Sequence, residues 1–183
     1  MSLRLALVAV LTGVNAWRLA PGVPGADAVE RIRRSVLGGA VFVAVAALVA
    51  GVSGPLLDAV SVTAPTARIA AGVALAVVAV RDLVTAPPSP EPSLAGDGAA
   101  LVPLVFPYLA NPGIVLLLLS VGHDRGVAAA AALALAAGAS LVAVAPVAPS
   151  RVTSRWWRAV GVVPTAVAVA AAVAVTVDGV LDI

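Results

Sequence analysis

From Ala99 to Val121 the chain runs without a charged side chain, a stretch longer than the roughly 20 apolar residues that a helix needs to cross a bilayer. Within it lies Phe106-Pro-Tyr-Leu-Ala-Asn-Pro-Gly113. Pro107 and Pro112 each lack a backbone N–H, and Gly113 tolerates a non-helical backbone, so a spanning helix should break here. Irregular backbone at membrane depth persists only where the freed polar groups are buried in protein or face a wet cavity. Asn111, Pro112 and Gly113 are therefore candidate site residues. The competing reading is a proline kink used only for packing, since prolines are common in spanning helices.

The rest of the chain suits the same environment. Hydrophobic residues make up 62% of it and charged residues 11%, with a mean hydropathy of +1.12, whereas soluble domains sit near 45–50% apolar and about 25% charged. An integral membrane protein follows, with room for up to six spans in one domain. All eleven basic residues are arginine. The net charge of +2 rests on so few ionisable groups that it gives no reason to expect nucleic acid. There is no cysteine, which excludes disulfides, thiolate metal sites and cysteine nucleophiles. The single histidine, in His123-Asp124-Arg125, reads as a solvated loop residue, so no metal site and no cofactor are expected. Gly138-Ala139-Ser140 is the nearest approach to a serine nucleophile, but no polar partner accompanies it at membrane depth; an enzyme is not expected.

Six spans can be laid along the chain. The first, over about residues 3–25, is interrupted near Gly13-Val-Asn15-Ala-Trp-Arg18 and again at Pro21 to Gly25; its N-terminal part is read as span rather than as a cleaved signal peptide. The charged segment from Asp27 to Arg34 separates it from a second span near 35–57. A third runs from about Thr66 to Val84, where Arg68 and Arg81-Asp82 are expected to mark the water interfaces. Pro87-Pro-Ser-Pro-Glu-Pro-Ser93 is an extended loop by its proline spacing and divides the chain into halves of 1–86 and 98–183, with residues 87–97 between. The fourth span is the broken one at 99–121, the fifth covers about 126–147 and the sixth about 156–178. Trp156-Trp157 reads as an aromatic anchor at the headgroups. Eight arginines fall on one side of six spans (Arg18, Arg31, Arg33, Arg34, Arg81, Arg151, Arg155, Arg158) and three on the other (Arg4, Arg68, Arg125). Cytoplasmic loops carry the positive excess, so both termini are expected outside.

Three spans per half oblige the second half to insert upside down relative to the first, and inverted repeats are common in secondary transporters. Asn15 and Asn111 are 96 positions apart, as are Asp82 and Asp178, while Arg68-x-x-x-Gly72 recurs loosely as Arg158-x-x-Gly161. The expected fold is thus all-α, six transmembrane helices as two inverted three-helix repeats with helices 1 and 4 discontinuous. A pseudo-two-fold axis would bring Asn15 and Asn111 together near the midplane.

Val102-Pro-Leu-Val-Phe-Pro107 followed by Asn111-Pro-Gly113 resembles the Pro-Leu-x-x-Pro…Gly-Pro-Gly motif of the MarC family, six-span proteins of the bacterial inner membrane. Ala67-Arg-Ile-Ala-Ala-Gly72, continuing to Arg81-Asp82-Leu83, is similar to that family's third span. In the first half Asn15 and Pro21 fit the family's pattern, while Ala16, Arg18 and Leu19 depart from it. Some members are described as transporters of small neutral amino acids. The resemblance implies a secondary transporter or exporter of a small polar solute, foremost a neutral amino acid, working by alternating access at a midplane site between broken helices. Asn15 and Asn111 would hydrogen-bond the solute, beside half-helix dipoles at the breaks. Arg18 either pairs with the solute's carboxylate or snorkels to the cytoplasmic face. No acidic residue falls at the midplane on this reading. The alternative is a non-transporting membrane scaffold or accessory subunit, in which the breaks serve packing alone. The expected partners are the lipid bilayer and a small solute; a homo-oligomer is compatible with either function.

Overall fold

The computed structural model describes residues 1–23, 27–85, 101–148 and 155–183. Among these every regular element is helical: α1 (Leu3–Val14), α2 (Ala16–Leu19), α3 (Ala28–Gly51), α4 (Ser53–Ala59), α5 (Ala64–Val84), a π-helical segment (Leu101–Leu109), α6 (Pro112–Arg125), α7 (Val127–Val144) and α8 (Arg155–Leu181). Short 3-10 turns at Ala20–Gly22 and Ala145–Val147 extend α2 and α7. Among the described residues, four stretches are long and apolar enough to cross a membrane: Leu3–Gly22, Ala28–Gly51, Val127–Val147 and Ala159–Leu181. The proline-rich stretch 87–97, expected to be an extended loop, lies outside the described residues.

The helix boundaries have local causes. Asp27 takes an extended backbone and its side chain accepts from the Glu30 N–H at 2.8 Å, starting α3. This corrects the reading of Asp27 to Arg34 as a connecting segment: an N-cap followed by a glutamate in the first turn is a helix start, and the arginines occupy the first turns of α3. Thr63 caps α5 in the same way, with Pro65 in its first turn. Pro164 lies within α8 without ending it.

The bundle is assembled through small residues. α5 packs most extensively on α8, and α3 on α7. A Cβ built on Gly72 would lie 2.7 Å from the Ala172 carbonyl and 2.2 Å from Thr176 Oγ1, and one on Gly179 would lie 2.8 Å from the Pro65 carbonyl. Gly39 and Gly138 meet backbone to backbone, a Cβ on either falling 3.2–3.3 Å from the other's Cα. Close backbone approach of this kind is how helices associate where no hydrophobic drive separates protein from lipid. The pairings are antiparallel. On α5 and α8, Ile69 faces Gly179 and Gly72 faces Thr176. Arg31, near the start of α3, donates to the Ala148 carbonyl beyond the end of α7 at 2.5 Å. α1 and α6 run oppositely as well, for Arg125 donates to the Met1 carbonyl (2.8 Å) while Gly13 approaches Ile114.

Candidate functional site

Two interruptions of the helices sit where the asparagines predict them. At Asn15 the backbone turns left-handed (φ 44°, ψ 71°), a conformation that asparagine tolerates better than most side chains. Its N–H still closes α1 on the Leu11 carbonyl at 3.1 Å. Its Oδ1 accepts from the Arg18 N–H at 3.3 Å, so the same residue ends α1 and caps α2. Its Nδ2 donates to the Gly161 carbonyl and to Thr165 Oγ1, both at 2.8 Å, which ties the break to α8. At Asn111 the backbone is extended, and Oδ1 accepts from the Ile114 N–H at 3.0 Å to start α6, with Pro112 in the first turn where its missing donor is harmless. Before it, Ala110 N–H reaches back five residues to the Val105 carbonyl at 2.8 Å. Gly113 then lets α6 press onto α5, since a Cβ there would stand 2.7 Å from the Leu75 nitrogen.

Asn15 and Asn111 are both buried, at 3% and 5% exposure, yet they face different cavities. A crevice of about 10 Å³, the size of one water molecule, lies against Asn15, Leu75, Asp82 and Thr165. A cavity of about 80 Å³ is lined by Gly13, Asp82, Tyr108, Asn111 and Pro112. A larger one, about 330 Å³, opens beside Trp17, Arg18, Asp82, Thr85, Trp157 and Gly161. Asp82 lines all three. The asparagines' expected partnership is therefore replaced by a carboxylate that touches the space beside each of them.

Arg18, the remaining expected site residue, is held inside the protein. Its Nε lies 3.4 Å from Asp82 Oδ2, and its Nη2 donates to the Thr85 carbonyl and hydroxyl at 3.1 and 2.9 Å. An internal ion pair is a third role, beside the two that the sequence suggested. Arg81 Nε stands 3.8 Å from the other Asp82 oxygen, with its side chain largely exposed. Trp157 stacks at a tilt on Trp17, ring centroids 5.2 Å apart, and donates its indole N–H to the Trp17 carbonyl at 3.0 Å. Of the two tryptophans read as an anchor, Trp156 is outward and 76% exposed, whereas Trp157 belongs to the cavity wall.

At the opposite end of α5 lies a second polar centre. Arg68, expected at a water interface, has its own side chain buried beneath part-exposed carboxylates. Its Nη1 donates to Asp178 at 2.6 Å and also to Asp182; its Nη2 reaches Asp124 at 2.9 Å and its Nε Ser120 at 3.2 Å. The Met1 amine lies 3.5 Å from Asp178. Arg68 and Asp82 were missed because each lies near a helix end, where a charge ordinarily reaches water. Spacing carried the signal: Ala64, Arg68, Ala71, Leu75, Ala79 and Asp82 recur at three and four residues, and that stripe faces inward.

Among the described residues no three His, Cys, Asp or Glu side chains are grouped to hold a metal ion. Polar groups of both charges instead converge on a cavity beside two helix interruptions. Comparisons with protein-family models, with curated proteins and with solved structures find no match.

Proposed function

We propose that this chain is a secondary transporter or exporter of a small polar solute, foremost a neutral amino acid, working by alternating access between its two broken helices. The observation that carries the reading is the convergence of three cavities on Asp82, beside both asparagine-capped breaks. On this reading the membrane is crossed six times, by Leu3–Gly22, α3, α5, residues 101–125, α7 and α8. Two inverted repeats gain support from the antiparallel pairing of α1 with α6, α3 with α7 and α5 with α8, each pair joining like-numbered helices of the two halves. The likeness to the MarC family's motif in the fourth span agrees with a bacterial inner-membrane location.

Flux tests the reading. In liposomes at matched protein amounts, Asn111→Leu should reduce neutral amino acid uptake by about five- to 150-fold, the consequence of losing roughly 1–3 kcal/mol of hydrogen bonding. Asn15→Leu should do the same, and both should also weaken folding, because the Asn15 amide pins α8 and the Asn111 side chain caps α6. One observation favours a non-transporting scaffold: the amide of Asn15 is already satisfied within the protein by Gly161 and Thr165. Wild-type flux in both variants would make the scaffold the better account.

The eight-to-three division of arginines supports an extracytoplasmic position for both termini. Since the chain has no cysteine, Ser2→Cys gives a single reporter. An impermeant thiol reagent should label it from outside intact cells; labelling only after the inner face is exposed would reverse the topology.

A further inference from the structure

We propose that the cavity beside Trp17 and Trp157 is a binding site for a zwitterion with an apolar side chain, which takes over the Arg18–Asp82 ion pair charge for charge. The inference rests on the transport reading for the class of solute and on the geometry of this cavity for the place. At about 330 Å³ the space falls at the small end of ligand pockets, which run from about 300 to 1,000 Å³.

Its wall has two parts. The charged part is Arg18 and Asp82, 3.4 Å apart, with Arg81 Nε 3.8 Å from the second oxygen of Asp82. Both members of the pair are largely withdrawn from water, their side chains 11% and 20% exposed. Separating such a pair is unfavourable unless each charge finds a replacement. A ligand with a carboxylate and an ammonium on adjacent atoms supplies both at once: the carboxylate for the Arg18 guanidinium, the ammonium for Asp82. A ligand with only an ammonium leaves Arg18 its Thr85 hydrogen bonds but no carboxylate, and one with only a carboxylate leaves Asp82 nothing nearer than Arg81 at 3.8 Å. The pair is thus a filter for zwitterions. The apolar part consists of the two indoles with Leu83, Val84 and Val162, which suits a hydrocarbon side chain and offers no additional charge to a charged one.

The tryptophans of the wall are also its reporters. The chain has three tryptophans, and Trp156→Phe removes the exposed one, leaving Trp17 and Trp157 to report. Purified protein carrying this change would be titrated in detergent with leucine, leucine methyl ester and N-acetyl-leucine. Leucine should give a saturable change in tryptophan emission. The ester, which has only the ammonium, and the N-acetyl compound, which has only the carboxylate, should bind at least about tenfold more weakly. Asp82→Asn should abolish the leucine response. No saturable response to leucine, an equal response to all three compounds, or an undiminished response in Asp82→Asn would overturn the site; if Asp82→Asn does not fold, the three-compound comparison decides by itself. Leucine flux measured in parallel separates the two proposals. Saturable binding without flux retains the site and defeats the transporter, while flux with no tryptophan response retains the transporter and defeats the site.

Discussion

Arg68→Met should lower the stability of the folded chain by about 3 kcal/mol, seen as a fall in the unfolding midpoint in detergent. Removing one member of a buried ion pair typically costs about 3–5 kcal/mol, because the partner left behind has neither water nor a counter-charge. Here the guanidinium is 4% exposed and serves Asp124, Asp178 and Asp182 together with Ser120. The lower end of the range applies because Asp182, about half exposed, can rehydrate. Arg68→Lys should fall between wild type and Met: it keeps the charge but loses the planar fork that reaches three carboxylates from one side chain. An unchanged midpoint in Arg68→Met would mean that the centre stabilises nothing.

Gly113→Val should have an effect of similar size by another route. A Cβ at this position would lie 2.7 Å from the Leu75 nitrogen, 2.8 Å from its Cγ and 3.0 Å from its Cα, so the obstacle includes helix backbone that cannot turn away. α6 must therefore move off α5, at about 1–3 kcal/mol for overpacking and with two branches beyond the Cβ still to place. The cavity beside Asn111 and Pro112 lies at this contact, so its shape should change with the stability. Gly54→Ala is the control. Nothing lies within 4 Å of a Cβ there, and the change should be neutral to stabilising, by up to about 1 kcal/mol of helix propensity. Equal unfolding midpoints for Gly113→Val and wild type would contradict the close approach of α6 to α5.

The sequence announced the two interruptions clearly, because proline, glycine and asparagine act on the backbone to which they belong. Asn111-Pro112-Gly113 gives up a helical donor, starts a new helix and permits a close approach, all within three residues. Asn15 carries the same message through its own capping side chain. What α5 does with its charges was harder to read, since the fate of Asp82 depends on Arg18, which lies in another helix and far from the spacing that sets the direction of Asp82. α8 shows the same difficulty. Its inward stripe through Thr165, Ala168, Ala172 and Val175 leads on to Asp178 and Asp182, but only the position of Arg68 explains why two carboxylates end an otherwise apolar face. Trp157 likewise turns inward because Trp17 offers it a carbonyl and a ring, and no property of the Trp156-Trp157 pair separates the two.

The helix contacts built from Ala67, Ala71, Gly72 and Ala79 on α5, from Ala168, Ala171 and Ala172 on α8, and from Ala130, Ala134, Ala137 and Gly138 on α7 have an entropic consequence. Alanine and glycine have no side-chain rotamers to freeze, whereas each buried leucine or isoleucine forfeits roughly 0.5–1 kcal/mol of rotational freedom. At these positions the helices dock without ordering side chains, and rotational freedom is lost instead at buried residues between them such as Leu75, Leu133, Leu141 and Val175. Arg68 and Arg18 lose rotamers on assembly as well, and in exchange Arg68 ties α5 to α6 and α8 while Arg18 ties α2 to the end of α5.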